Sequence, residues 1–286
     1  MTLCDLPIRW RRTAALLLLL SISGCSLAPA GRFDNEARRL GFSKSLVMGA
    51  GFEHVLFSPA PMPRGPLLHV YLAGDGSPWL DGRWPAADPT PRKPLMLQLM
   101  AQDPAPRLYL GRPCYHAPAT PPACTPDLWT DGRYSQMVVD SLAAALQQWR
   151  ATHDYQGLIL FGYSGGGTLA MLLAERLPDT RAVVTLAANL DPQRWATHHG
   201  YRPLQKSLNP AVRPPLPGSI HQLHLTGGRD RNVPVDLVEA AIVRQPSAQH
   251  LHFAAFDHRC CWRSAWPGLL ETLARRLDDG PRPVNR

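Results

Sequence analysis

The stretch from Leu158 to Ala170 constrains the fold of this chain more than any other. It reads Leu-Ile-Leu-Phe-Gly-Tyr-Ser-Gly-Gly-Gly-Thr-Leu-Ala. Four apolar residues in a row are typical of a strand that is buried on both faces, as in the middle of a parallel sheet. The glycines that follow predict a tight turn, and the residues after them predict a helix. The chain therefore contains a buried strand, a sharp turn and a helix in direct succession.

Ser164 stands in that turn and forms the pattern G-x-S-x-G with Gly162 and Gly166. In this pattern the serine occupies a sharp strand-to-helix turn, and the glycines leave room for the crowded backbone. The Gly165 N–H and the start of the helix then face the space in front of the hydroxyl, where they favour negative charge. The pattern alone also fits a glycine-rich connection that only packs tightly or binds an anion. The surrounding sequence is therefore needed to distinguish a nucleophilic serine from these alternatives.

Alternating strands and helices provide that context, because they predict a doubly wound, mainly parallel sheet flanked by helices. The expected class is α/β, in one domain. Strands are predicted over 52–57, 67–73, 107–110, 158–161, 181–186, 221–226 and 250–255. Helices are predicted over 94–103, 133–151, 235–243 and 266–277, together with the helix that follows Ser164. A proline- and tryptophan-rich loop is expected over 77–94, and residues 189–218, which lack periodicity, are a candidate lid.

Three polar residues follow predicted strands, in the order Ser164, Asp230, His258. Since the working groups of doubly wound sheets gather at the carboxyl ends of the strands, the three side chains should meet at one edge. A serine needs a histidine to accept its proton and an acid to orient that histidine. Asp191 follows the strand before and is an alternative acid, although it equally suits capping of the segment at Pro192.

The order of these residues, the G-x-S-x-G turn and the alternation of strands and helices together resemble the α/β-hydrolase family. The resemblance covers nearly the whole chain after its leader. It implies Ser164 as nucleophile, Asp230 as acid and His258 as base, without a metal or organic cofactor. It implies backbone oxyanion donors at Gly165 and in the turn Gly74-Asp75-Gly76, from Asp75 or Gly76. That turn lacks the His-Gly pair of many family members, and it also fits a plain turn. The loop 111–116 is a further candidate for lining the pocket.

The N-terminus has the features of an exported lipoprotein. Basic residues Arg9, Arg11 and Arg12 precede an apolar core at 14–24 that is too short to span a bilayer. Ile22-Ser23-Gly24-Cys25 resembles a bacterial lipobox, which implies cleavage before Cys25 and its lipidation. The expected parts are a signal peptide (1–24), a tether (25–44) with a short helix near 35–40, and the hydrolase domain (45–286). Because Ser26 is not aspartate, we expect the outer membrane, facing the periplasm.

Four cysteines then remain in an oxidising compartment: Cys114, Cys124, Cys260 and Cys261. A Cys114–Cys124 bridge would close a short proline-rich loop and is slightly favoured. That leaves Cys260 and Cys261 as a vicinal pair, whereas the other pairings would tie this loop to the one that carries His258. The spacings of the cysteines and histidines do not match a metal-binding motif.

The net charge of +8 fits a soluble surface better than a nucleic-acid partner, because no lysine or arginine run or nucleic-acid motif occurs. Two classes of function remain. The first is a lipid-anchored serine hydrolase, with a small-molecule or lipid ester as substrate, in which esterase, thioesterase, peptidase and acyltransferase use the same residues. The second is a non-catalytic lipoprotein that binds a ligand or partner. The sequence leaves the oligomeric state open.

Overall fold

The central strands of the sheet form where the sequence is continuously apolar. The structure is a computed structural model, and it describes residues 28–116, 123–246 and 248–278. Strand β7 (Gly157–Tyr163) is buried along almost its entire length. Leu158 and Leu160 point into the core on one face of the sheet, whereas Ile159 and Phe161 point into the core on the other. This alternation requires helices on both faces, because each row of side chains needs a cover.

Eight strands form the main sheet: β1 (Phe42–Met48), β2 (Glu53–Pro59), β3 (Leu67–Leu72), β6 (Arg107–Leu110), β7, β8 (Thr180–Leu186), β9 (His221–Gly227) and β10 (Ala248–Phe253). Their order across the sheet is β1-β2-β6-β3-β7-β8-β9-β10. Strands β1 and β2 run antiparallel to their neighbours, and the remaining pairs are parallel. A separate small hairpin pairs β4 (Trp79–Leu80) with β5 (Trp84–Pro85). The doubly wound, mainly parallel sheet that the sequence predicts is confirmed.

Helices cover both faces of this sheet. Side chains of α3 (Gln136–Arg150), α4 (Gly165–Ala174) and α6 (Val235–Ile242) build one core. Those of α1 (Pro29–Arg39), α2 (Leu95–Met100) and α7 (Trp262–Asp278) build the other. A short helix, α5 (Pro192–His198), follows β8. No helix of the described residues combines the length and apolar character that crossing a bilayer demands.

The N-terminal segment differs from the predicted tether. Helix α1 begins at Pro29, earlier than expected, and buries Phe33 and Ala37. Residues 42–48 form β1, which pairs with β2 along its whole length, so the expectation of a tether was wrong here. β1 is an edge strand whose side chains are mostly exposed, so its sequence carries no apolar alternation. The predicted signal peptide and the predicted lipidation site, Cys25, lie outside the described residues.

Smaller differences concern the ends of elements. Helix α7 begins at Trp262 rather than at 266, and β10 lies two residues earlier than predicted. Helix α2 is shorter than the predicted 94–103, and the predicted loop 77–94 contains the β4–β5 hairpin. The strand Arg107–Leu110 was predicted correctly.

Candidate active site

Ser164 occupies a strained turn between β7 and α4. Its φ of 52° and ψ of −125° lie where a residue with a side chain is rarely found. Its N–H donates to the Leu186 carbonyl at 3.0 Å, and its carbonyl accepts from Gly167 at 2.9 Å. A side chain at Gly162 would collide with the Gly166 carbonyl, so the backbone passes closely at this point. The flanking glycines thus allow the turn, and the hydrogen bonds hold it.

A chain of hydrogen bonds joins the three residues that the sequence singled out. The Ser164 hydroxyl donates to His258 Nε2, with 3.2 Å between Oγ and Nε2. The opposite ring nitrogen, Nδ1, donates to Asp230 Oδ2 at 2.8 Å. This arrangement fixes the imidazole with its proton on Nδ1, so the lone pair of Nε2 accepts from the serine hydroxyl. The geometry can transfer a proton from Oγ to Nε2.

Asp230 is held rigidly in the loop after β9. Its side chain is fully buried, and its Oδ1 accepts from the N–H groups of Asn232 and Val233 at 2.8 Å each. The Asn232 side chain also donates to His258 Nε2 at 2.9 Å. Sequence reasoning missed Asn232, because nothing in the loop's composition distinguishes this amide from an ordinary turn residue.

The alternative acid Asp191 lies away from His258, and Asp257, the neighbour of His258 in the chain, does not contact its ring. Asp191 caps α5, where its Oδ1 accepts from the Arg194 N–H at 3.0 Å and from Asn209 at 2.8 Å. Asp257 turns its carboxylate to the N–H groups that follow it in the chain. Hydrogen bonds from Cys260 and Arg259 lower the pKa of Asp257. His258 binds neither carboxylate and pairs with Asp230 instead.

Two features support the loop that carries His258. The Tyr163 hydroxyl donates to the His258 carbonyl at 2.9 Å, and the two rings lie 5.1 Å apart. Burial raises the pKa of Tyr163 and keeps it a neutral donor. A disulfide joins Cys260 to Cys261 directly after the loop, and a second joins Cys114 to Cys124. The favoured pairing therefore agrees with the structure.

The turn Gly74-Asp75-Gly76 lies beside Ser164, as an oxyanion position requires. A Cβ on Gly74 would lie 3.2 Å from the Ser164 Cβ. Gly76 has a φ of +69°, and a side chain there would collide with the Pro89 carbonyl. The side chain of Asp75 does not point at the serine. It packs against the backbone of Gly165, because a Cβ on Gly165 would overlap Asp75 Oδ1 and the Tyr134 hydroxyl.

Two arginines and a tyrosine surround the carboxylate of Asp75. Arg112 and Arg133 each approach its carboxylate at 2.9 Å, and the Tyr134 hydroxyl donates to it at 2.7 Å. Burial alone would raise the pKa of Asp75, but the charges of Arg133 and Arg112 outweigh it and hold that pKa below its ordinary value. The cluster carries two positive charges against one negative charge, so it is net positive behind the turn.

The loop 111–116 belongs to this cluster rather than to the cleft wall. Arg112 reaches Asp75 from it, and the Tyr115 hydroxyl donates to the Asp75 carbonyl at 3.0 Å. The Cys114–Cys124 disulfide fastens the loop between these two residues. The expectation that 111–116 lines the pocket was wrong, because Arg112 and Tyr115 are buried beneath the Asp75 turn.

Ser164 and His258 open into a cleft of about 1690 Å³. This volume exceeds the roughly 300–1,000 Å³ of pockets for drug-sized ligands. Much of its surface is apolar and aromatic, and these side chains include Phe33, Trp79, Leu95, Met96, Trp195 and Leu204. The described residues contain no group of three histidine, cysteine or acidic side chains placed to hold a metal ion.

The candidate lid, 189–218, forms one wall of the cleft. Trp195 Nε1 and His199 Nε2 both donate to the Asn232 carbonyl, at 2.8 Å. Further along, the Leu208 N–H donates to the Tyr134 carbonyl at 3.0 Å. The segment is therefore fastened to the loop of Asp230 on one side and to the start of α3 on the other.

Solved structures share this architecture. An esterase of Pyrococcus furiosus aligns at a TM-score of 0.57 and 11% identity, over 86% of this chain and 94% of its own. A membrane phospholipase A, a bacterial virulence factor, aligns at 0.55 and 18%, over 94% and 98%. An α/β serine hydrolase without a lid, from Xanthomonas campestris, aligns at 0.55 and 13%, over 85% and 96%.

The chain has the α/β-hydrolase fold. The strand order, the turn at Ser164 and the positions of Asp230 and His258 at the carboxyl ends of β9 and β10 all belong to that architecture. No protein-family model matches the sequence, and no curated protein matches it either. At these identities the likeness establishes the α/β-hydrolase fold, and the chemistry rests on the geometry of the site.

Proposed function

We propose that this protein is a lipid-anchored serine hydrolase of the bacterial cell envelope that cleaves carboxylic ester bonds. The observation that carries the proposal is the hydrogen-bonded chain from Ser164 Oγ through His258 to the buried Asp230. This chain lies in a cleft large enough for an ester with a long acyl group. A similar arrangement of groups activates a serine as a nucleophile on several unrelated folds.

The reaction would begin with attack of Ser164 Oγ on the ester carbonyl, while His258 Nε2 accepts the hydroxyl proton. Asp230 stabilises the imidazolium that forms. His258 then protonates the departing alcohol, which leaves an acyl group on Ser164. Water attacks this acyl-enzyme with the same histidine as base, and the acid product is released.

The oxyanion of the tetrahedral intermediates would bind to the Gly165 N–H and to an N–H of the Asp75–Gly76 turn. Gly165 opens α4, so its N–H has no partner within the helix, and the helix dipole favours negative charge there. The net positive cluster of Arg112, Arg133 and Asp75 behind the turn acts in the same direction. Preorganised charge of this kind is a large contribution to catalysis in such sites.

Apolar and aromatic side chains in the cleft lining can hold the acyl chain of an ester. Trp79, Trp195 and Leu204 offer surface for an acyl chain in the cleft that contains the serine. The esterase and phospholipase among the similar structures support this class. We therefore infer a lipid or other long-chain ester as substrate.

Fluorophosphonate labelling of the protein, next to a Ser164→Ala variant, tests the nucleophile. We expect labelling and the cleavage of p-nitrophenyl esters, with longer acyl chains preferred, and the loss of both in the variant. A folded parent protein that reacts with neither reagent would contradict the hydrolase proposal and favour a non-catalytic binding lipoprotein.

The anchor needs a separate test, because it rests on the sequence around Cys25. Cells that express the protein are labelled with a palmitate analogue, beside a Cys25→Ser variant. We expect label on the parent chain only, and recovery of the parent in the outer-membrane fraction. A labelled Cys25→Ser protein, or an unlabelled parent, would contradict lipidation at this residue.

A further inference from the structure

Large aromatic side chains stand exposed at the mouth of the cleft. The β4–β5 hairpin carries Trp79, which is 42% exposed and lines the cleft, and Trp84, which is 70% exposed. Tyr201, on the wall formed by the candidate lid, is 56% exposed. Burying such side chains is favourable, and tryptophan and tyrosine are enriched where proteins meet the headgroup region of a membrane.

Basic side chains accompany these aromatic residues. Arg83 lies in the hairpin, and Arg92 and Lys93 lie in the loop that leads from it to α2. All three are exposed and line the cleft, and none has an ion-pair partner among the residues that the structure describes. The same segment contains two acids, Asp81 in the hairpin turn and Asp88 in the loop, so three bases against two acids leave the surface positive on balance. We call this surface the cleft rim, and its members are Trp79, Arg83, Trp84, Arg92, Lys93 and Tyr201.

The cleft rim also lies beside the start of the described chain. The Ala30 N–H, in the first turn of α1, donates to Asp88 Oδ2 at 2.9 Å, in the same loop as Arg92 and Lys93. Phe33 of α1 reaches the lining of the cleft. Cys25 precedes Pro29 by four residues, which span at most about 14 Å. A lipid on Cys25 would therefore hold the cleft rim near the bilayer.

We propose that the cleft rim docks onto an anionic phospholipid surface, so that the cleft opens towards the bilayer. Exposed tryptophans would enter the headgroup region while the unpaired basic side chains bind lipid phosphates. The short distance between Cys25 and α1 favours a membrane over a protein partner. The proposed anchor on Cys25 leaves little room for another molecule between the cleft rim and the bilayer. The orientation rests on the proposed anchor, whereas the affinity of the rim for lipid does not.

Vesicle flotation tests the affinity with protein that carries no lipid. A chain that begins at residue 26 contains every helix and strand of the described fold and lacks Cys25. We expect it to bind phosphatidylcholine vesicles that contain one quarter phosphatidylglycerol at least about tenfold more tightly than pure phosphatidylcholine vesicles. Equal binding to the two, or binding to neither, would overturn the proposal.

Charge-reversal variants locate the binding surface. Replacing the rim bases, as Arg83→Glu, Arg92→Glu and Lys93→Glu together, should weaken binding to anionic vesicles about a hundredfold. The matched control makes the same charge change at exposed bases away from the cleft, as Arg181→Glu, Arg244→Glu and Arg275→Glu. Circular dichroism confirms that both variants are folded. An equal loss in the two variants would show that only net charge matters and would overturn docking through the rim.

The cleft rim could instead be an interface between two copies of the chain. If the chain is a dimer in solution that Trp84→Ala converts to a monomer, without any effect on vesicle binding, the rim is such an interface and the proposal fails.

Hydrolysis of a soluble short-chain ester by the same parent protein, with Ser164→Ala as control, reports the proposed activity separately. Vesicle binding without hydrolysis would refute the enzyme and leave the docking surface standing, and the reverse result would refute the surface alone.

Discussion

Asp230 and Asp191 have different roles, although each follows a strand of the central sheet. Asp230 is buried against His258, whereas Asp191 caps α5. Asp230→Asn removes the charge that stabilises the imidazolium and disturbs its tautomer, so kcat should fall on the order of 10³-fold or more. Asp191→Asn should leave kcat near that of the parent, because asparagine is also a good helix cap. The rate of ester hydrolysis by the two purified variants distinguishes the two roles. A large loss of kcat in Asp191→Asn would contradict the assignment of Asp230 as the acid.

Asp75 supplies the counter-charge for two buried arginines, Arg112 and Arg133. Asp75→Asn leaves Arg112 and Arg133, whose side chains are 4% and 6% exposed, without a counter-charge. We expect the free energy of unfolding to fall by about 3–5 kcal/mol. Because its pKa is held below the ordinary value, the stabilisation from Asp75 is complete above about pH 4 and is lost as the pH falls through the lowered pKa.

The matched control is Asp127→Asn, which breaks an exposed pair with Lys206. Exposed ion pairs are screened by water and contribute little to stability, so this variant should unfold near the parent's urea midpoint. Urea denaturation of both variants at neutral pH makes the comparison. Similar midpoints for the two would mean that the buried guanidinium groups are solvated well enough without Asp75.

The turn after β3 is the element whose shape matters most for the proposed reaction, because one of its N–H groups would bind the oxyanion. Gly76 and Gly82 share a left-handed backbone, with φ of +69° and +66°. A side chain at Gly76 meets the Pro89 carbonyl, whereas one at Gly82 meets nothing within 4 Å. Gly82→Ala should therefore cost only the backbone strain, about 1–2 kcal/mol. Gly76→Ala should in addition move the Asp75–Gly76 turn away from Ser164.

The expected readout for Gly76→Ala is kcat, because the turn would bind the oxyanion and not the ground-state ester. A loss of about 10²-fold, similar to the removal of one oxyanion donor in other enzymes, is expected at little change in KM. Gly82→Ala should retain the parent's kcat. If Gly76→Ala hydrolyses esters as fast as Gly82→Ala, the second donor lies outside this turn.

Elements were predictable from the sequence where burial imposes a pattern. Strands β7 and β8 are covered on both faces, so each carries an apolar run, at 158–161 and at 182–184, and both strands were found. Strand β1 and the β4–β5 hairpin were missed, because their side chains are largely exposed and the pattern is absent. Hairpin strands of two residues also fall below the length at which a periodicity exists.

For the whole molecule, the sequence predicts which groups reach one edge of the sheet but not how they pack. Ser164, Asp230 and His258 follow from strand order, since parallel strands end at the same edge. The partners of Asp75 could not be predicted, because Tyr134 is 59 residues away in the chain and contacts it only in the folded state. Asn232 likewise meets His258 across 26 residues.

Acid should destabilise the whole molecule chiefly through two of the three histidines that are buried in the described part of the chain. Burial lowers the pKa of the third, His54, as well. His116 and His224 are 1% and 0% exposed, and burial lowers the pKa of each to about 3, with Lys44 and His250 adding to the effect. In the unfolded chain both have a pKa of about 6.5. Between these values the unfolded state binds more protons, so the free energy of unfolding falls as the pH falls, by up to about 1.4 kcal/mol per pH unit for each histidine.

Urea unfolding at neutral pH and at pH values between about 6.5 and 3 measures this slope. The double variant His116→Asn, His224→Asn removes both groups and should unfold with a much weaker dependence on pH, whatever its stability at neutral pH. His153→Asn, at an exposed position, is the control and should keep the parent's slope. Parallel slopes for all three proteins would mean that other groups govern acid unfolding. A flattened slope in the double variant alone would show that neutral histidines in the two cores on either side of the sheet set the lower pH limit of the fold.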